Sequence, residues 1–180
     1  MAPSSTNSKP DASEHVPYFG KYISLVPDGD ILSSLTSQLA DTLSFLRSIP
    51  ASRADYRYAP GKWSIKEVVG HITDTERVFA YRAMRFARQD QTPLSGFEQD
   101  DYIRNGSFND NLLSDLCAEF EHVRRASVLL FRHMNKEAWT RRGVASGNEV
   151  SVRALAWIIA GHELHHREIL RTKYIAQSRS

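Results

Sequence analysis

The chain has 180 residues, of which 41% are hydrophobic, 24% charged and 10% aromatic, as in ordinary globular domains. Its 23 basic and 21 acidic residues give a net charge of +2 without forming a basic block, so we expect no nucleic-acid partner. No apolar run approaches the roughly 18 residues of a membrane span, and we expect no membrane insertion. The single Cys117 excludes an internal disulfide and a cysteine-rich zinc site, and it suits a cytoplasmic location.

Residues 1–17, MAPSSTNSKPDASEHVP, are rich in Ser, Pro and Ala and contain no apolar core of a secretory signal. We interpret them as a disordered tail. Residues 18–180 have the length of one domain with a single substantial core, and we expect one domain there.

Two segments in the first half of the chain show helical periodicity. The first spans about residues 30–47 and ends before Pro50, because proline cannot continue a helix. The second begins at Ser64, which forms an S-x-x-E capping box with Glu67, and it continues to about residue 89.

Two more segments with this period follow, at about residues 110–134 and 152–175. No segment of any length alternates apolar and polar residues as a half-buried strand does. Four helices of this length in a small domain predict an all-α four-helix bundle. The two longer connections, residues 50–63 and 90–109, contain aromatic and acidic residues, and connections of that length are often functional.

The last predicted helix contains the sequence GHELHHRE, in which His162, Glu163 and His166 match the pattern H-E-x-x-H. In metalloproteases the two histidines of this pattern bind zinc and the glutamate acts as general base. Residues four apart lie one above the other on a helix, so both imidazoles can converge on one ion. Both also lie within the apolar stripe of this helix. The alternative is two core histidines, each of which would need its own buried hydrogen-bond partner.

A metal site of this kind needs at least one more protein ligand. His71 is the best candidate, because it lies at the margin of the apolar stripe of the second predicted helix. His122 and His133 lie off the stripe of the third helix beside charged residues, and His15 lies in the predicted tail. His165 flanks the stripe of the fourth helix, where it could orient a ligand or contact solvent.

A metalloprotease fits the sequence poorly. Its third ligand normally follows the motif, yet Glu168 is the sole acidic residue after His166, and no strand signal predicts a sheet that would hold an extended substrate. Glu163 remains a candidate catalytic residue because it lies next to the histidines, either as a base or as a hydrogen-bond partner of the metal ligands. The alternative is an ordinary glutamate on the helix surface.

Three stretches together resemble a known family: WSIKEVVGHITDTERVFAYRAMRFARQD (63–90), PLSGFEQDDY (93–102) and VSVRALAWIIAGHELHHREIL (150–170). They look like the four-helix DinB/YfiT-like superfamily. The resemblance implies a divalent metal ion held by His71, His162 and His166. It also implies that the protein forms dimers, and it points to metal-dependent transferases that use small thiols such as bacillithiol or mycothiol.

Three neutral imidazoles leave the full charge on the ion and leave coordination positions open, which favours activation of a bound thiol or water. We therefore expect a thiol S-transferase or isomerase that joins a small-molecule thiol to an electrophile, or else a hydrolase. Zinc or nickel is the first choice of metal, with iron or copper as alternatives. The competing hypothesis is a non-catalytic metal-binding or stress-response protein. Cys117 is interpreted as packing and not as a nucleophile.

Two further groups of residues carry expectations. Asp74, Arg77 and Arg82 lie on the helix of His71 and are interpreted as containing a salt-bridged pair, with contact to substrate as the alternative. On the fourth helix, an apolar ridge lies opposite the histidines and contains two small residues: Trp157, Ala160, Gly161 and Leu164. A helix that is apolar on two faces is buried in its own domain or shared with a partner, and the ridge predicts a homodimer. The alternative is that the tail and the long loops cover it.

Overall fold

The computed structural model describes residues 7–176. Its helices are α1 Pro17–Ile23, α2 Ile31–Arg47, α3 Ile65–Ala87, α4 Gln99–Asn105, α5 Leu113–Arg132, α6 Lys136–Thr140 and α7 Val152–Ile169, and its strands are β1 Arg142–Ala145 and β2 Asn148–Ser151. Short 3-10 turns occupy Ala12–Glu14, Ala51–Arg53 and Phe108–Asp110, and α7 continues into a π-helical turn at Leu170–Ile175. None of these described helices is long and apolar enough to cross a membrane.

The four long helices α2, α3, α5 and α7 form a bundle. Both α2 and α3 pack against α5 and against α7, so the cyclic order around the bundle is α2, α5, α3, α7. Side chains cap three of the four: Asp30 for α2, Ser64 for α3 and Ser151 for α7 each accept a hydrogen bond from a backbone amide of the first turn. The predicted four-helix bundle is confirmed.

A buried polar layer divides the apolar core of the bundle into two clusters. The cluster nearer the strands includes Ile31, Leu35, Phe86, Phe131, Trp157 and Ile158. The other includes Leu46, Ile65, Val68, Phe120, Leu170 and Tyr174. The residue numbers show that α2, α3 and α5 contribute to both clusters, while α7 contributes buried residues to the first and its π-helical continuation to the second, so the layer lies between the two ends of the bundle.

Arg124 is the centre of the polar layer and is 0% exposed. Its Nε and Nη2 donate to the carboxylate of Glu76 at 2.9 Å, and its Nη1 donates to Glu163 at 2.5 Å. Thr42 donates its hydroxyl to the other oxygen of Glu163, and Nη1 of Arg124 also reaches the backbone carbonyl of Leu35. All four helices therefore meet in one hydrogen-bonded cluster, which satisfies the buried charges.

The structure differs from the predicted tail over residues 7–17, while residues 1–6 lie outside the described residues. Glu14 is buried, accepts a hydrogen bond from Ser151 Oγ at 2.7 Å and forms an ion pair with Arg153. The indole of Trp157 donates to the carbonyl of Asn7 at 3.2 Å. These partners lie more than a hundred residues further along the chain, so the local composition could not reveal them.

Helix α1 covers the ridge that the sequence analysis assigns to a dimer interface. A Cβ atom on Gly161 would lie 2.0 Å from the carbonyl oxygen of Tyr22, which shows how closely α1 approaches α7. Trp157 and Ala160 in the same ridge are fully buried. The predicted location of the homodimer interface on this ridge is therefore wrong, because the N-terminal residues of the chain itself cover it, whereas the homodimer itself stays a prediction.

The polar link before the last helix forms an antiparallel β-hairpin, which the sequence analysis did not predict. Val144 pairs with Glu149 in its register, and Ser146 and Gly147 form the turn with φ of 53° and 75°. Positive φ at both central residues is typical of the tight turns that match the twist of a hairpin. Each strand has four residues, which is too short for a clear alternation of apolar and polar positions.

Candidate metal centre

The three histidines singled out in the sequence lie together where α3 packs against α7. One ring nitrogen from each of His71, His162 and His166 can be chosen so that all three lie within 4.8 Å of one another. Nε2 of His71 and Nε2 of His162 are 3.0 Å apart. His162 and His166 are separated by one turn of α7, and their ring centroids are 4.5 Å apart.

The local sequence explains this placement. The capping box of Ser64 and Glu67 sets the start of α3, and Arg57 holds the same Glu67 carboxylate through two hydrogen bonds. His71 therefore lies two turns into a well-anchored helix. The first residues of α3 pack in the same apolar cluster as Leu170, which follows α7. This packing brings the beginning of α3 beside the end of α7.

The histidine group fits a divalent ion. Two nitrogens bound to one tetrahedral zinc lie about 3.3 Å apart. This separation lies between the 3.0 Å from Nε2 of His71 to Nε2 of His162 and the 4.8 Å within which all three nitrogens lie. Burial lowers the pKa of His71 to about 4. Burial, together with the neighbouring histidines, also lowers the pKa of His162 and His166 well below the usual value. All three are therefore neutral near pH 7, which is the form that binds metal.

Aromatic rings surround the histidines. Trp63 lies 4.7 Å from the His71 ring and stacks at 6.5 Å with the ring of His166. Tyr22 contacts His162 and His165 edge-on, at centroid distances of 5.4 and 5.3 Å. Tyr22 is not among the predicted site residues, because the sequence pattern did not predict helix α1. The available signal was Pro17, a favoured first residue of a helix, before apolar residues at helical spacing.

His166 also lines a cavity of about 330 Å³. The cavity walls are mainly aromatic and aliphatic, with a cationic and an anionic residue among them: Tyr58, Gly61, Lys62, Trp63, Val68, Asp100, Ile169 and Tyr174. Lys62 and Asp100 are both exposed. The two long connections contribute Lys62 and Asp100, so these connections do shape the cavity beside the histidines. A molecule in the cavity would contact His166 and the aromatic walls together.

The structure corrects the interpretations of Glu163. The side chain is 0% exposed, so it is not a surface glutamate. One carboxylate oxygen accepts from Thr42 and the other from Arg124 in the polar layer. A general base must have an oxygen within reach of the substrate. Since both oxygens of Glu163 are bound inside the bundle, the structure argues against the catalytic role considered for it.

The other candidate ligands lie apart from the group. His122 and His133 are exposed, and the Nδ1 atom of His15 contacts the carbonyl of Val16 at 2.8 Å. Cys117 is 2% exposed, and burial raises the pKa of its thiol to about 11. It lines a separate cavity that includes none of the three histidines.

The acidic and basic residues on α3 divide into two cases. Asp74 and Arg77 form an ion pair at 3.1 Å, as the sequence analysis favoured, and Arg77 also reaches Glu119 at 2.7 Å. Arg82 forms no ion pair with any described residue, and its hydrogen bonds run to Ser95 and Ser146 instead. The expected salt-bridged pair is therefore Asp74 with Arg77, and Arg82 takes no part in it.

Comparison with known sequences gives two findings. The model of the DinB superfamily matches residues 34–170 of the chain. A protein of Oceanobacillus iheyensis, named as a candidate metal-dependent hydrolase, is 25% identical over 137 residues. That match covers 75% of this chain and 76% of the relative.

Comparison with solved structures supports the same fold. YfiT from Bacillus subtilis, described as a probable metal-dependent hydrolase with an unusual four-helix bundle topology, matches with a TM-score of 0.67 and 17% identity, over 91% of this chain and 92% of YfiT. A mycothiol-dependent maleylpyruvate isomerase matches with a TM-score of 0.65 and 14% identity, over 81% of this chain and 60% of that protein. The DinB-like protein YjoA of Bacillus subtilis matches with a TM-score of 0.61 and 21% identity, over 83% of this chain and 92% of YjoA. With the family model matched over residues 34–170, the chain belongs to the DinB superfamily.

Proposed function

We propose that this protein is a metal-dependent enzyme that acts on a small electrophile with a thiol or water as the nucleophile. His71, His162 and His166 would hold one divalent ion. The observation that carries the proposal is the convergence of three neutral histidines, of which His71 and His162 are buried and the half-buried His166 lines a cavity large enough for a small molecule. An ion held by neutral imidazoles lowers the pKa of a bound water or thiol, so no nucleophile from the protein is needed.

The residues around the histidines have defined tasks in this proposal. Trp63 and Tyr22 shield the ring faces and edges of the histidines from water, which strengthens electrostatic interactions at the site. Tyr58 and Tyr174 supply flat apolar walls on which a substrate body can lie. Lys62 is placed to bind an anionic group of a substrate at the wall of the cavity.

A small-molecule thiol is the first candidate for the nucleophile. An ion held by His71, His162 and His166 would favour the thiolate form of such a thiol at neutral pH, so no protein base would be needed. This agrees with the position of Glu163, whose carboxylate is held in the polar layer. The mycothiol-dependent isomerase shares the fold and offers a precedent for a thiol in this architecture.

Water is the second candidate, because the Oceanobacillus relative is named as a candidate metal-dependent hydrolase. A non-catalytic metal site is the third. A structural zinc site is normally closed by four protein ligands. Within the part of the chain that the structure describes, the group contains three ligand residues and no fourth His, Cys, Asp or Glu, which favours an open site.

Metal binding is tested first, on protein purified without a nickel column. Single substitutions His71→Ala, His162→Ala and His166→Ala should each lower zinc and nickel affinity by at least about a hundredfold, because changes outside the first coordination sphere alone cost 10–100-fold. His122→Ala is the matched control and should bind metal as the parent does. Equal metal affinity in all four variants would show that the metal does not bind at these three histidines.

Reaction class is tested next with the metal-loaded enzyme. Conjugation or isomerisation with several low-molecular-weight thiols should require metal and should tolerate Cys117→Ser, because that thiol is buried in another cavity. Ester or amide hydrolysis without added thiol would identify water as the nucleophile. Loss of activity in Cys117→Ser with metal still bound would show that the protein supplies the nucleophile, contrary to the proposal.

A further inference from the structure

Arg82 is a buried cation without an acidic partner among the described residues. It lies on α3 and is 5% exposed. Its Nη2 donates to the carbonyl of Ser95 and to the hydroxyl of Ser146, both at 3.0 Å. Nε and Nη1 make no hydrogen bond to any described residue. The N–H groups of two guanidinium nitrogens therefore remain available for a ligand.

Other buried cations of the described chain show how unusual this arrangement is. Arg124 lies between the carboxylates of Glu76 and Glu163, and Lys66 pairs with Asp55 at 3.0 Å. Buried charges in proteins are paired, because removing a lone charge from water costs several kcal/mol. Consistent with the missing partner, burial lowers the pKa of Arg82, and no carboxylate opposes that effect.

Arg82 lines a cavity of about 270 Å³ between α1, α3, α7 and the hairpin. The cavity walls include the apolar side chains of Phe19, Phe79, Val150 and Leu155. Glu149 also lines the cavity, but it is engaged in an ion pair with Arg142 at 2.7 Å and its side chain is 58% exposed. Arg82 is thus the cation of a largely apolar cavity.

We propose that this cavity binds a small monocarboxylate with an apolar body. The carboxylate accepts a charge-assisted hydrogen bond from one of the two guanidinium nitrogens of Arg82 that have no other partner, Nε or Nη1, which lie on opposite edges of the group. The apolar body lies against Phe79 and Leu155. A single cation among apolar walls suits this ligand class better than a phosphate, whose three oxygens would need more donors.

This cavity is separate from the one beside the histidines. Arg82 follows His71 by eleven residues on the same helix, which corresponds to about 16 Å along the helix axis. The two cavities share no lining residue. The inference therefore stands whether or not the proposed metal-dependent activity is correct.

The test is a titration of the full-length protein with 4-fluorobenzoate followed by fluorine NMR. Saturable binding at millimolar concentrations is expected. Arg82→Gln should weaken it at least about tenfold, because a charge-assisted pair is lost. Arg88→Gln is the matched control, since Arg88 is exposed at the end of the same helix, and it should bind as the parent does. Equal binding by folded Arg82→Gln would overturn the proposal.

Two further measurements on the parent protein do not depend on whether the variant folds. Methyl resonances of Val150 and Leu155 should shift on titration, whereas those of Val68 and Ile169, in the cavity of His166, should not. Shifts confined to the second pair would place the ligand at the histidines and overturn the proposal. Inorganic phosphate is the second probe, and phosphate binding tighter than that of 4-fluorobenzoate would contradict the monocarboxylate class.

Discussion

His162 and Glu163 are neighbours on α7, and both are buried, but they belong to polar clusters of opposite kinds. Glu163 has a hydrogen-bond donor for each carboxylate oxygen, and its main partner Arg124 is fully enclosed. The nearest polar partner of His162 is another neutral histidine, and His166 beyond it lines a cavity. One cluster is complete within the chain, whereas the other retains nitrogen lone pairs that a ligand can use.

This difference separates structural from functional polarity in the bundle. A buried ion pair whose partners are all satisfied holds the helices in register and offers nothing to a substrate. A group of buried histidines without acidic partners is costly to protonate and ready to bind a metal. The H-E-x-x-H pattern spans both clusters, since its histidines belong to one and its glutamate to the other.

The largest effect is expected from Arg124→Met in the closed cluster. The substitution leaves Glu76 and Glu163 buried without their shared cation, so the free energy of unfolding should fall by about 3–5 kcal/mol. Urea unfolding followed by circular dichroism measures the change.

Arg125→Met is the matched control for this prediction. Arg125 is the next residue of α5, its side chain is 63% exposed, and it pairs with Glu121 one turn away. Exposed pairs contribute about 0.2–1 kcal/mol, so the control should change stability little. Similar losses in both variants would show that the buried cluster does not hold the bundle together.

The parts of this protein that the sequence predicts are those set by local patterns. Helical periodicity located the four long helices, and the capping residues Ser64 and Ser151 marked the starts of two of them. The stacking of His162 and His166 follows from helix geometry alone. Their convergence with His71 depends on the packing of α3 against α7, which no local pattern predicts. The choice of His71 as third ligand was a hypothesis, and in the structure its ring lies within reach of the other two.

The parts that the sequence did not predict depend on distant partners. Glutamate is a residue type that is usually exposed, and the burial of Glu163 depends on its ion pair with Arg124, 39 residues earlier. The apolar ridge around Gly161 was predicted to be exposed, because the residues that cover it, near Tyr22, lie at the other end of the chain. Arg82 is a similar case, since its partners at Ser95 and Ser146 lie in loops.

A smaller effect is expected from Gly161→Ala in the contact between α1 and α7. The added methyl group would meet the backbone of Tyr22, so α1 must move, and we expect a loss of about 1–3 kcal/mol in unfolding free energy. Gly20→Ala is the control, because a Cβ there meets no atom closer than 3.9 Å. It should be neutral or stabilising by up to about 1 kcal/mol, since alanine favours a helix. A stabilising Gly161→Ala would contradict the close contact.

Glu14 adds a pH-dependent effect to the same N-terminal cover. Burial raises the pKa of Glu14, but its hydrogen bonds with Arg153 and Ser151 outweigh this and lower the pKa overall. A lowered pKa in the folded state means that the contribution is present above the unfolded value, about 4.3, and is lost as pH falls through the folded value. Glu14→Gln should cost about 1 kcal/mol at pH 7, and the difference from the parent should shrink below pH 4. A difference that is independent of pH would contradict the ion pair.

The smallest effect on the protein without metal is expected from His166→Ala in the open cluster. His166 is half-buried, neutral and without a hydrogen bond to the described residues, so unfolding in EDTA should change by no more than about 1 kcal/mol. Zinc should then separate the two proteins. The free energy of unfolding of the parent should rise by about 2.7 kcal/mol when free zinc is a hundred times the dissociation constant, and that of the variant should rise little at the same concentration.

Two outcomes would contradict this prediction. A loss in EDTA as large as that of Arg124→Met would show that His166 stabilises the fold through its own contacts, and equal stabilisation by zinc would mean that the metal binds elsewhere. Either result would remove the distinction between the two clusters of α7, because that distinction requires the open cluster to contribute through a ligand and not through its own contacts.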